Sequence, residues 1–230
     1  MRVNACKKLI ILLLSIPIAS LSQQQQAEPV SAGSLDPLLY NGRIYSYFVP
    51  KSVAGNQFLF STTFSVEQIR IKGKLYSNCL LNYDIFNQIL LLNFKDNTGA
   101  DRIIEVSKAW LESFTLSGAY FEPVIQDDGE VIFYQVIGNG PTRVLYYYRK
   151  EFKLDKSYNP ARYAFSPPIR ESFVSRNGRL VRYRSNKSFV SIFDPANQEE
   201  IKKYLHINKV KVKKASDITM NEVLSFCNEL

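Results

Sequence analysis

The sequence predicts an α+β fold: a largely antiparallel sheet, twisted into a sandwich or open barrel, with two C-terminal helices. Three observations carry this. Short apolar runs recur over residues 37–193, separated by Gly, Asn, Asp and Pro. Four Asn-Gly or Asp-Gly pairs, at 41–42, 128–129, 139–140 and 177–178, mark tight turns between antiparallel strands. Beyond residue 194 the apolar spacing changes from strand-like to helical.

The chain has 230 residues, 46% of them apolar, enough for a core in one domain. Its 14 Tyr and 15 Phe suit pleated, half-buried surfaces. The formal charge is +8. Residues 1–22 read as a secretory signal. Arg2, Lys7 and Lys8 precede a short apolar run at Leu9–Ile18, and Ser20 and Ser22 sit where signal peptidase accepts small residues. With the cut after Ser22, no cysteine stands at the new terminus, so the chain is not expected to be a lipoprotein. Export to the periplasm or beyond argues against a nucleic-acid role despite the basic balance.

Residues 23–36 read as a flexible leader. Asn41-Gly42 predicts a first hairpin, and Phe58–Phe64 and Val66–Ile71 predict strands. The centre of the domain is Lys74–Lys95, where apolar runs at Leu75–Tyr83 and Ile89–Phe94 flank a polar break. This predicts a hairpin buried in the sheet, entered through a turn at Gly73. Arg102–Val106 and Ser113–Leu116 follow around Trp110, the single tryptophan, expected as a core anchor. Asp128-Gly129 predicts a type I′ turn. Glu130–Ile137 and Thr142–Phe152 form another hairpin. Tyr146, Tyr147 and Tyr148 alternate faces in its second strand, so Tyr146 and Tyr148 share a side; exposed rings could stack on sugars, while a sheet with one buried and one half-exposed aromatic face is the commoner explanation. Lys153–Pro168 reads as a long connection. Arg170–Phe173, Leu180–Arg184 and Phe189–Phe193 read as strands.

Asp194-Pro195 starts a helix whose face carries Ile201, Tyr204 and Leu205. Lys209–Lys214 is basic and alternating, and Thr219–Glu222 fits a capping box for a last helix. Lys209, Lys211 and Lys213 could meet lipid phosphates or an acidic partner, although a solvated face is the commoner explanation of such a run. Cys79 and Cys227 could bridge after export or remain separate buried thiols.

Catalytic signatures are sparse. His206 is the only histidine, no CxxC pair occurs, and no glycine-rich phosphate loop is present. Asp84, Glu105, Glu112 and Glu122 could supply acid–base chemistry, but sequence does not pair them. No catalytic, metal or cofactor-binding residue is assigned, and no cofactor is expected.

The turn and packing residues at Tyr40–Gly42, Gly73–Tyr76, Leu81–Ile85 and Ser113–Leu116 carry a family likeness. So do those at Lys187–Phe189, Ile201–Leu205, Lys209–Val212 and Phe226–Asn228. The chain resembles exported proteins of unknown function common in Bacteroidota. The resemblance implies a shared fold in a diderm envelope and supplies no catalytic residue. The domain map expected is 1–22 signal, 23–36 leader, 37–193 β domain and 194–230 helical segment packed on it. The function expected is a non-enzymatic envelope protein that binds another protein or an anionic envelope component, with peripheral membrane contact allowed. A small-ligand carrier with a tyrosine-lined pocket, and then a carboxylate hydrolase, are the alternatives.

Overall fold

The computed structural model describes residues 30–31, 36–47, 49–157 and 159–230. The signal segment at 1–22 and most of the leader at 23–36 lie outside the described residues. Fourteen strands are described: β1 Val30–Ser31, β2 Gly42–Ile44, β3 Ser65–Ile71, β4 Lys74–Asp84, β5 Ile89–Lys95, β6 Asp101–Val106 and β7 Leu111–Leu116, then β8 Ala119–Ile125, β9 Val131–Ile137, β10 Thr142–Arg149, β11 Phe152–Asp155, β12 Arg162–Phe165, β13 Ile169–Arg176 and β14 Arg179–Tyr183. The helices are α1 Asn186–Val190, α2 Pro195–Ile207 and α3 Asp217–Glu229, with a 3-10 turn at Val212–Lys214.

The sheet is mainly antiparallel and does not close into a barrel. Its order is β14-β13-β10-β9-β8-β7-β3-β4-β5-β6-β2. β4 is its spine. The second half of β4 pairs with β5, and Val30–Ser31 of β1 runs parallel to its first half at Tyr76 and Ser77. A bulge interrupts the β3–β4 register between Glu67 and Ile69, with Asn78 at φ 58°. Asn tolerates that left-handed conformation better than most residues, and the extra residue bends the strand. Lys72 and Gly73 both have positive φ, as a two-residue hairpin turn needs.

Beside a smaller buried cluster of Tyr134, Val136 and Leu145, the sheet carries two large cores. One gathers Leu81, Tyr83, Phe114, Phe121 and Phe133 from β4, β7, β8 and β9. Tyr83 meets the rings of Phe114, Phe121 and Phe133 edge-on, at centroid distances of 5.8, 5.8 and 5.5 Å. The other packs Val144, Tyr146, Val174 and Tyr183 of β10, β13 and β14 against Phe189, Ile201, Leu205, Met220 and Val223 of the helices. β9 contributes Phe133 to the first core and Ile137 to the second. Between the cores runs a polar seam. Tyr83 Oη donates to Gln88 Oε1 (2.6 Å), and Gln88 Nε2 donates to the Tyr148 carbonyl (2.9 Å). Tyr148 Oη donates to Gln135 Oε1 (2.7 Å), and Gln135 Nε2 donates to Asp217 (2.6 Å).

Several expectations for single elements need correction. No hairpin forms at Asn41-Gly42; β2 pairs with β6 instead. Glycine is required there by proximity, since a Cβ on Gly42 would lie 2.3 Å from the Glu105 carbonyl oxygen. Phe58–Phe64 is irregular chain with a single bridge from Phe58 to Asp84. The expected connection at Lys153–Pro168 contains the separate β11–β12 pair. Asp128-Gly129 is not type I′, because only Gly129 takes positive φ. Its N–H bonds the Gln126 carbonyl, closing a tight turn before the glycine. Trp110 packs against the first core as expected but is only half-buried, beneath the Lys72 ammonium 3.8 Å from its ring centroid.

Phe189–Phe193 is not a strand. Ser185 and Ser188 form a reciprocal capping box that starts α1, a third helix. Its apolar residues Phe189 and Val190 are buried in the second core. The last helix starts earlier than Thr219, with Ser216 as its cap accepting from Thr219 N.

Candidate functional site

The helical end builds a basic cleft. Residues 176–214 carry eleven Lys and Arg against three Asp and Glu, a net charge of +8. Within this stretch, α1, α2 and the segment after α2 enclose a cavity of about 780 Å³.

The cleft follows from how α2 ends. Lys209 N bonds the His206 carbonyl, and Val210 N bonds the Leu205 carbonyl at 2.9 Å. These are the paired bonds of a Schellman ending, and Val210 packs with Leu205 as that motif favours. Both side chains line the cleft. Lys209 occupies the left-handed position at φ 53°, where Gly or Asn is preferred. A side chain there costs about 1 kcal/mol. Asn186 at the start of α1 pins the next residues: its Nδ2 donates to the Val210 carbonyl (2.7 Å) and its Oδ1 accepts from Val212 N (3.0 Å). Val210 and Val212 therefore point inward while Lys209 and Lys211 stay exposed.

Val190, Leu205 and Val210 form the floor, and Lys187, Lys202, His206, Lys209 and Lys211 stand around it. Glu199 is the single acidic side chain, 3.2 Å from Lys202 in an exposed i,i+3 pair that binds weakly. Among the described residues, Lys187, Lys209 and Lys211 form no ion pair. The polar neutral side chains are engaged with backbone. Asn186 is spent as above, Ser191 Oγ donates to the Ser188 carbonyl, and Gln198 Nε2 donates to the Phe193 carbonyl. On the other side of α1 lies a cavity of about 670 Å³ bearing Arg176, Arg179 and Arg182. Two of its arginines are already paired, Arg176 with Asp194 (2.8 Å) and Arg182 with Glu171 (2.9 Å).

Of the residues singled out from sequence, Lys209 and Lys211 line the cleft. Lys213 is exposed outside it, and its carbonyl accepts from Arg170 (2.7 Å). Tyr146 is fully buried, with the Arg170 guanidinium 4.2 Å from its ring centroid, and presents no surface to a sugar. Tyr148 is half-buried in the polar seam, and burial pushes its hydroxyl up to about 12. Sequence reading did not assign Lys187, counted Lys202 only as part of the basic stretch 199–214, and noted His206 only as the single histidine. The i,i+4 spacing of Lys202 and His206 puts them on one helical face and was the available signal. Lys187 was hidden by reading the following residues as strand.

The carboxylates are held apart by their own structural partners. Asp84 accepts from Phe86 N, Asn87 N and Tyr45 Oη, and burial holds its carboxyl above the usual range. Glu105 pairs with Arg43 (2.6 Å), Glu122 pairs with Arg143 (3.0 Å), and Glu112 accepts from Gly73 N (2.8 Å). Tyr76, Tyr83 and Tyr146 are buried in the cores. No family model, curated protein or solved structure matches the chain.

Proposed function

We propose that the protein is exported and acts in the cell envelope as a non-enzymatic binding module for an anionic partner. The resemblance noted in the sequence points to the envelope of a diderm bacterium. One observation carries the binding reading: Lys187, Lys209 and Lys211, which form no ion pair among the described residues, line a cleft with an aliphatic floor. Unneutralised charge of one sign at a concave site attracts a ligand of the opposite sign.

Capture of partners by crosslinking in the native host tests this. Each lysine near an anionic surface contributes on the order of 1 kcal/mol. The double variant Lys209→Glu/Lys211→Glu is expected to reduce capture about tenfold or more. Lys213→Glu, outside the cleft, is expected to change it little. Equal capture by wild type and the double variant would remove the cleft from the mechanism.

A further inference from the structure

Resting on that reading, we propose that the cleft holds a single anionic amphiphile, with its charged head among the lysines and one aliphatic chain along the floor. The groups the cleft offers suit few other ligands. Its backbone is tied up in α1, α2 and the Schellman ending, leaving no strand edge for an extended peptide. Asn186, Ser191 and Gln198 are engaged with backbone carbonyls and amides. A glycan, which needs a pattern of neutral hydrogen bonds, finds few partners. The ammonium groups, the His206 imidazole and the aliphatic carbons of Val190, Leu205 and Val210 remain. These match a ligand made of an anion and a hydrocarbon chain. The volume of about 780 Å³ suits one small molecule.

Lys209 offers a way to separate binding from stability. Glycine would relieve its left-handed backbone, yet a lysine stands there, with Val210 placed on the floor by the same turn. Stability and binding therefore pull in opposite directions at this position, and that opposition is testable.

The probe is lysophosphatidylglycerol below its micelle concentration, titrated calorimetrically into the purified protein. Lysophosphatidylcholine, glycerol 3-phosphate and a poly-glutamate peptide serve as comparisons. Lysophosphatidylglycerol is expected to bind about tenfold tighter than each of the three. Lys209→Gly is expected to raise the thermal midpoint and weaken lysophosphatidylglycerol about fivefold or more. Equal affinity for the choline and glycerol heads overturns the proposal, as does full affinity in Lys209→Gly. Glycerol 3-phosphate binding as tightly would make this a simple phosphate site, and tighter poly-glutamate would make the partner an acidic peptide. Either result also overturns it. Absence of lysophosphatidylglycerol binding, with host capture still sensitive to Lys209→Glu/Lys211→Glu, rejects the amphiphile and spares the binding module. Loss of that sensitivity rejects both.

Discussion

Asp36 fastens the entry of the chain to the sheet. Its carboxylate accepts from the Lys74 ammonium, from Leu38 N (2.9 Å) and from Tyr76 Oη (2.9 Å). The hydrogen bond from Lys74, helped by Leu38 N and Tyr76, lowers its carboxyl to about 2. A carboxyl depressed in the folded state stabilises it fully above the unfolded value, about 3.9, and that contribution fades as pH falls toward about 2. Asp36→Asn should therefore lower the thermal midpoint at neutral pH, and the gap to wild type should close near pH 2. A gap that stays constant with pH would sink this account. At this scale sequence gave partial sight of the site. Lys209 and Lys211 were legible because the Lys-Val alternation puts charges on one side and valines on the other. Tyr146 was not, because strand parity says which tyrosines share a face and not which face the helices cover.

Asn186 links two elements, since both ends of its amide hold the segment after α2 against α1. Asn186→Ala removes both bonds and leaves the Val212 amide without this partner. It should cost about 1–3 kcal/mol, seen as a lower denaturation midpoint, with faster hydrogen exchange at Val212. Slow exchange at Val212 in the variant would mean that the segment is held by packing alone. The central hairpin was readable because its apolar runs and polar break appear directly as β4, the turn and β5. Residues 189–193 misled because Phe, Val and Ile favour strands when taken alone. The signal that decides them is Ser185-x-x-Ser188, a cap made of two small side chains just upstream. At Gly42 the sequence pair suggested a turn, while the need for glycine comes from β6, some sixty residues away along the chain.

Beside the small buried cluster of Tyr134, Val136 and Leu145 and the two-stranded β11–β12 pair, the described residues form two main cores on one large sheet. Because β9 serves both cores and Gln135 bridges Tyr148 to Asp217, they should unfold together. Trp110 reports on the first core and the helices on the second. Tryptophan fluorescence and far-UV circular dichroism should therefore give coincident denaturation curves, and separated midpoints would divide the chain into two domains. Cys79 and Cys227 fall on different sides of this division as free, buried thiols, which burial pushes up to about 11 and about 12. Sequence conveyed the antiparallel class, because turn pairs and alternation are local. It could not convey how the strands divide between two main cores, which depends on contacts between distant strands. Along its main path the open sheet ends in two outer strands, β2 and β14, with the two-residue β1 attached beside β4. β2 has three residues, with Arg43 at its centre, and β14 has five, including Arg179 and Arg182. Short rims that carry guanidinium groups resist lateral pairing with another copy. The chain can thus keep a long unclosed sheet without a long, flat border along which copies could join into fibres.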